Sequence, residues 1–354
     1  MKLSRVSKRS AKSVMGSLPI VFFLSLAAAA CDEARGRADT GEAVEAAVGN
    51  TPAADSAASA APVAPVTALE PNELGRVPIL EYHLIEEGDG QWRVTPAELW
   101  QHMELLYERG YRPITVSELV DGNIDLPRGA SPVVFTFDDA SPSQFRYIER
   151  DGRLEIDPSS AVGVWLDFAK SHPDWGNKAV FCVLSTAQAG RAFFGDRGIE
   201  DQKSEWRFQK MKFLADQGFE LCNHTLYHER LDKVDDAKAQ EFIARLDMAV
   251  DSAVPGYAIR TLALPLGKWP ANRASAHTGS WADPKSGNTV AYDYDAVLEV
   301  AGGPNVSPHD PKFDPKSLDR NIIWDSELTK LLDMLDKQGL RYVSDGDALK
   351  VTGK

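Results

Sequence analysis

Cysteine, basic residues and long apolar runs are all in short supply in this chain. Three cysteines in 354 residues cannot form the disulfide-dense framework of a small secreted scaffold, so stability has to come from a packed core. Two of them, Cys182 and Cys222, fall in apolar strand-like stretches, where a free cysteine packs as a small hydrophobe. Core packing is the expectation for both, with a mutual disulfide as the alternative in an oxidising compartment. The longest apolar run, Leu18 to Ala30, is only thirteen residues, too short for a comfortable membrane span. The formal net charge is -13, and because the first thirty residues hold five basic side chains and no acid, the remainder carries -18. No nucleic-acid partner is expected of so acidic a chain.

The N-terminus nevertheless carries an address. Lys2, Arg5, Lys8, Arg9 and Lys12 precede the apolar run, and Ala28-Ala29-Ala30 precede Cys31, the charged, hydrophobic and small-residue order of a secretory signal. The last four residues resemble a bacterial lipobox, although a leucine is usual where Ala28 stands. Residues 1–30 are therefore expected to be a lipoprotein-type signal peptide and Cys31 the lipidated residue, with export across the inner membrane and anchoring in the envelope. Residues 31–72 are rich in Ala, Pro, Asp, Glu, Ser and Thr without one aromatic side chain, the composition of a disordered tether. Residues 73–354 are expected to be one catalytic domain, since a barrel of about 250 residues fits that length.

In that domain strand and helix signals alternate. Val77-Pro78-Ile79-Leu80-Glu81-Tyr82 reads as a strand, and Thr95-Pro96-Ala97-Glu98 is a capping box with Pro at the first helical position. Leu99, Trp100, Met103, Leu106 and Tyr107 then recur at helical spacing up to Gly110. Further strands are expected at 112–115, 133–137, 179–184, 219–222, 261–264, 295–300 and 341–343. Helices are expected near 158–171, 204–217, 236–252 and 325–338. Such alternation predicts an α/β fold with a parallel sheet, closed or nearly closed, whose chemistry gathers at the C-terminal strand ends.

Two motifs stand at those ends. Val133-Val134-Phe135-Thr136-Phe137 runs into Asp138-Asp139, and Phe219-Glu220-Leu221-Cys222 runs into Asn223-His224-Thr225-Leu226-Tyr227-His228. Two adjacent buried carboxylates repel unless a cation holds one of them ionised. His224 and His228 are four apart, so a helical turn would aim both rings at one ion. Taken alone, an Asp-Asp pair reads as a solvated turn and a His-x-x-x-His as surface residues. Following two apolar strands, they read as one metal site with a free base beside it.

Thr136-Phe137-Asp138-Asp139 and Asn223-His224-Thr225-Leu226-Tyr227-His228 resemble the first two motifs of the polysaccharide deacetylases, carbohydrate esterase family 4 (the NodB-homology type). Val77 to His83 and Gly110-Tyr111-Arg112-Pro113-Ile114-Thr115 resemble the branch related to poly-N-acetylglucosamine deacetylases. The similarity covers roughly residues 75 to 348. It implies a distorted (β/α) barrel, with Asp139, His224 and His228 as ligands of one divalent ion, most often zinc, and Asp138 as general base. It further implies hydrolysis of N-acetyl groups on an amino-sugar polysaccharide of the envelope or matrix, and no protein partner is inferred. An O-acetyl glycan esterase and a catalytically weak glycan-binding protein are the competing expectations.

Two departures stand out. Where the family commonly has Arg-Pro-Pro-Tyr-Gly, this chain has Ala263-Leu264-Pro265-Leu266-Gly267, so the arginine that orients the base is missing. The Leu266 backbone N–H can still serve an oxyanion, and Arg260 and Arg320 are the candidate replacements. No Leu-x-His motif occurs near the C-terminus, so the general acid is expected to be His83, with His309 as competitor. Tyr227 is the best-placed sugar-stacking residue. Trp206, Trp269, Trp281 and Trp324 are further aromatic candidates, each also readable as core.

Overall fold

The computed structural model describes residues 69–185, 193–195 and 198–353. The expected signal peptide, Cys31 and nearly all of the expected tether lie outside the described residues. No helix among the described residues is long and apolar enough to cross a membrane.

A curled parallel sheet organises the domain. Its strands are β1 (Ile79–Tyr82), β2 (Tyr111–Pro113), β3 (Ser131–Asp138), β4 (Val180–Val183), β5 (Glu220–Asn223), β6 (Thr261–Ala263), β7 (Ala296–Leu298) and β8 (Asn321–Ile322). They are ordered β7-β6-β5-β4-β3-β1-β8, with β2 beside the start of β3. The segment leading into β8 also bridges Leu318 to Leu298 of β7, bringing the two ends of the sheet together. The result is the distorted (β/α) barrel that the strand-helix alternation anticipated.

Among the described residues six α-helices cover the outside: α1 (Pro96–Glu108), α2 (Val116–Val120), α3 (Ala161–Ser171), α4 (Arg207–Asp216), α5 (Asp236–Ala253) and α6 (Glu327–Lys337). Local chemistry sets their starts. Thr95 and Thr115 each accept from the backbone N–H three residues on, and Glu98 and Glu118 return the bond, so two capping boxes open α1 and α2. The second, Thr115-Val116-Ser117-Glu118, went unread in the sequence because its helix is a single short turn. In α6, Leu328, Leu331, Leu332 and Leu335 are buried at helical spacing. Each contributes about 1.5–3 kcal/mol of transfer free energy, which outweighs the weak intrinsic helicity of an eleven-residue segment.

Strand alternation divides the core into two populations. Tyr82, Phe135, Phe137 and Phe181 face outward and pack with Trp165, Trp175 and the helices. Ile79, Val134, Val180, Cys182, Cys222 and Ala263 fill the barrel interior. All eight residues of β3 are buried because both of its faces are covered, which is why the strand reads as a continuous apolar run rather than an alternating one.

The structure corrects one expectation and adds hairpins in two further segments. Cys182 and Cys222 are partners in register on β4 and β5, 4.2 Å apart at Cα, and are joined as a disulfide; parallel pairing sets them side by side, which their separation in sequence hides. Residues 268–293 contain an antiparallel hairpin, Thr278–Ala282 with Thr289–Asp293, packed on α5. The Ser141–Gly176 segment is built into the core through α3, whose Trp165 and Phe168 are buried, and carries an exposed hairpin, Tyr147–Arg150 with Arg153–Ile156.

The disulfide closes a chain separation of 40 residues, for which loop entropy gives about 4 kcal/mol of stabilisation. Reduction, or Cys182→Ala with Cys222→Ala, is expected to lower unfolding free energy by roughly that amount. Denaturant titration with and without reductant measures it.

Candidate metal centre and active site

The sheet register assembles the site. Glu81 pairs with Thr136 and Tyr82 with Phe137 across β1 and β3, and Asp138 is in register with Cys182, itself in register with Cys222. Glu81 and Asp138 therefore share the interior face, Asp138 at the C-terminal end of its strand, with His224 two residues beyond Cys222. Asp139, His224 and His228 offer ligand atoms that all lie within 4.8 Å of one another. His224 Nε2 is 3.5 Å from Asp139 Oδ1 and 3.7 Å from Asp138 Oδ2, while His228 Nε2 is 3.4 Å from Asp139 Oδ1.

No helical turn brings the two histidines together, contrary to the expectation from their spacing. Residues 224–228 form a loop in which Thr225 and His228 take left-handed φ of 62° and 60°. Asn223 starts it: its Oδ1 accepts from the Thr225 N–H at 2.7 Å, and its amide donates to Tyr294 and Asp247. The rings end 4.9 Å apart. Asp139 at φ 78° and Leu266 at φ 56° are left-handed as well. Each such non-glycine residue costs on the order of 1–3 kcal/mol, so the site carries local backbone strain.

The donor set fits a cation. His224 Nδ1 lies 2.9 Å from the Ala263 carbonyl, which fixes the Nδ1–H tautomer and turns Nε2 toward the carboxylates. That Nε2 is buried without a hydrogen-bond partner, as a ligand atom awaiting an ion would be. Burial takes His228 down to about 4, with His224 adding to the effect, so its ring is neutral at pH 7. Burial alone would raise Asp139, but the nearby imidazoles, His224 foremost, hold it well below the usual carboxylate range. Burial would lower His224, yet Asp138 and Asp139 raise it; a divalent cation would take the place of the proton it attracts.

Asp138 stands apart from this set. It is fully buried, and Arg320 Nη1 donates to its Oδ1 at 2.8 Å. Burial would raise its pKa, but Arg320 and then His224 bring it below the ordinary value. Arg320, just before β8, thus occupies the role left open by the missing third-motif arginine. Arg260, the other candidate, is turned away to pair with Asp121 and Asp295 at the opposite end of β6.

His83 follows β1 directly. Its ring lies 4.6 Å from that of Trp92, and its Nε2 lies 3.7 Å from Glu81 Oε1. Burial lowers its pKa, against Asp138 and Asp139. His309 is not brought to this site. It sits by Gly122, two residues past the Ser307 that bonds the Glu73 carbonyl, at the N-terminal end of the strands.

Leu266 is half-exposed in the turn Pro265–Gly267, and Tyr227 is at the rim with its hydroxyl accepting from Arg245. Of the tryptophans, Trp206 is buried, Trp269 bonds Glu299, Trp281 lies near Arg245 and Trp324 is exposed. Sequence reasoning missed Glu81 and Gln144. Gln144, fully buried, donates to the carbonyls of both His83 and Asp138 at 2.6 and 2.5 Å, clamping the ends of β1 and β3 together. A lone Gln in a loop carries no sequence signal, but a glutamate inside an apolar strand does.

Residues 164–278 match the family model described as polysaccharide deacetylase. No match is found among curated proteins. Among solved structures, the Streptococcus pyogenes deacetylase PplD, in complex with acetate, is 17% identical over 73% of this chain and 97% of its own, with a TM-score of 0.51. A polysaccharide deacetylase from Bacillus cereus is 17% identical over 72% of this chain and 68% of its own, TM-score 0.49. IcaB from Ammonifex degensii is 16% identical over 72% and 95%, TM-score 0.45. At such identities the first of these likenesses speaks to the fold alone.

Arg320→Met leaves Asp138 and Glu81 buried without their cation. The expected loss of unfolding free energy is about 3–5 kcal/mol, read by denaturant titration at pH 7; a loss under about 1 kcal/mol, the scale of an exposed pair, would contradict the assignment.

Proposed function

We propose that this chain, which belongs to the polysaccharide deacetylase family, removes N-acetyl groups from an amino-sugar polysaccharide outside the cytoplasm, using one divalent cation. The observation that carries the reading is the separation of labour between adjacent carboxylates: Asp139 lies with His224 and His228, while Asp138 is held off by Arg320 at 2.8 Å.

Asp139, His224 Nε2 and His228 Nε2 would hold the cation, with zinc the best match to two imidazoles and a carboxylate. When bound, it supplies Lewis-acid polarisation of the acetyl carbonyl and favours ionisation of water. Asp138, kept ionised by Arg320, accepts a proton from the attacking water. The Leu266 backbone N–H donates to the developing oxyanion. His83 delivers a proton to the departing nitrogen as the C–N bond breaks, leaving acetate and a free amine. The proton gained by Asp138 and the one lost by His83 exchange with solvent before the next turnover. Tyr227 at the rim offers a face for a pyranose ring.

The missing third-motif arginine was the ground for a catalytically weak glycan-binding protein. The Arg320 contact with Asp138 supplies the same charge and supports turnover. The Cys182–Cys222 disulfide suits an oxidising compartment and so supports export, with Cys31 as the lipid-bearing residue that anchors the domain in the envelope.

Acetate release from oligomeric N-acetylglucosamine, with metal analysis, tests the reading. Asp138→Asn is expected to retain the ion and lose about 10²–10⁴ in kcat, whereas His224→Ala loses both ion and activity; an ion lost from the Asp138 variant would mean that the two carboxylates have exchanged roles.

His83→Ala separates amide from ester chemistry. An amine leaves far less readily unprotonated than an alcohol, so the variant is expected to lose about 10²-fold or more in N-acetyl hydrolysis while keeping most O-acetyl hydrolysis. Undiminished N-acetyl hydrolysis would reject His83 as the acid.

A further inference from the structure

We propose that Glu81 is a positioning residue for the proton-donating arm of the site, orienting His83 from a carboxyl group seated beside Arg320. The inference rests on the deacetylase reading above.

The geometry is a single chain of contacts. Arg320 Nη1 donates to Asp138 Oδ1 at 2.8 Å, Arg320 Nε lies 3.2 Å from Glu81 Oε2, and Glu81 Oε1 lies 3.7 Å from His83 Nε2. Asp138 and His83 are thus linked through Arg320 and Glu81. Side-chain alternation along β1 puts Glu81 and His83 on one face, Glu81 one level deeper. Ile79, two residues earlier on that face, is apolar and wholly buried, so packing at this level calls for an aliphatic side chain. A carboxylate there is costly. Glu81 is 1% exposed, neither of its oxygens makes a hydrogen bond, and it shares the barrel mouth with Asp138 and Asp139. Such a group persists against its desolvation only where it serves something other than stability.

Arg320 alone does not require it, because Asp138 and the Thr136 hydroxyl already occupy Nη1 and the Glu299 carbonyl accepts from Nε. What Glu81 adds is a carboxyl group, pushed up to about 8 by burial against the pull of Arg320, that faces His83 from below at 3.7 Å, while the Trp92 ring covers the imidazole on another side. With Nε2 turned toward Glu81, His83 Nδ1, buried and without a partner, is the nitrogen left to give its proton to the leaving amine. Glu81, His83 and Asp138 also offer atoms within 4.8 Å of one another, as a second cation would need. The Arg320 guanidinium already lies against both carboxylates and repels such an ion.

The test compares Glu81→Gln with the wild-type chain on N-acetyl and O-acetyl glycan oligomers, and repeats the change in the His83→Ala background. Glu81→Gln keeps the shape and removes the ionisable carboxyl group. Expected are a kcat on the N-acetyl substrate about tenfold lower or more, unchanged KM, one bound ion per chain, and an O-acetyl rate within about threefold of wild type. No further loss is expected on the His83→Ala background, because coupled residues fail to add. Glu81→Asp, which keeps the carboxyl group, is expected to recover part of the N-acetyl rate, and it carries the comparison should Glu81→Gln not fold. A wild-type-like ratio of N-acetyl to O-acetyl rates in the variant, full additivity with His83→Ala, or two ions per wild-type chain would each overturn the inference alone. A wild-type chain that releases acetate from neither substrate overturns the deacetylase reading and this inference with it.

Discussion

A single buried guanidinium holds the active site in its working charge state. Arg320 is wholly enclosed, yet it faces three buried or half-buried carboxylates, Glu81, Asp138 and Asp139. In a low-dielectric interior this arrangement is tolerable only if the charges nearly balance. Arg320 neutralises one carboxylate, most directly Asp138. Burial pushes Glu81 up to about 8, so the negative charge left over is that of Asp139, aimed at two imidazole nitrogens, one of them buried without a hydrogen-bond partner. Excess negative charge and convergent nitrogen ligands are the two halves of a divalent cation site. On the proposed reading, the same electrostatic constraint would send one of two neighbouring aspartates to the cation and leave the other as the base.

That arrangement depends in turn on how the barrel closes. Arg320 comes from the stretch between Leu318, which bridges to β7, and Asn321, which pairs with Leu80 of β1, so the residue that tunes the base lies on the seam of the sheet. The Cys182–Cys222 disulfide ties β5, which leads into His224, to β4, which pairs with β3 and Asp138. Gln144 fastens the ends of β1 and β3. Seam, disulfide and amide clamp hold strand ends that carry His83, Asp138 and His224 at fixed separations, which is what a proton acceptor and a proton donor on either side of one acetyl group require.

Much of this was legible in the linear chain, and the failures are instructive. The capping boxes at Thr95 and the apolar spacing in α1 and α6 are local signals, and the corresponding helices form where expected. The Asp138-Asp139 and His224/His228 motifs were found because apolar strands lead straight into them. Their geometry was misjudged, since His224 and His228 meet through left-handed backbone and an Asn223 side-chain bond rather than a helical turn. Short strands and hairpins at 147–156 and 278–293 escaped notice because exposed pairs lack an apolar stripe. Arg320 was a candidate only by elimination, and Glu81 passed as one more residue of a strand.

Composition and periodicity alone were enough to determine an acidic chain with a basic, apolar N-terminus, a strand-helix alternation and two candidate metal-ligand motifs at strand ends. Those properties depend on residues near one another in sequence, where propensity and spacing act directly. Which arginine meets the base, that the cysteines bond, and that a glutamate of β1 lies between an arginine and a histidine were decided by the tertiary structure. Parallel register brings residues 81, 138, 224 and 320 into one interior, and register is set by the packing of the whole sheet rather than by any segment of it.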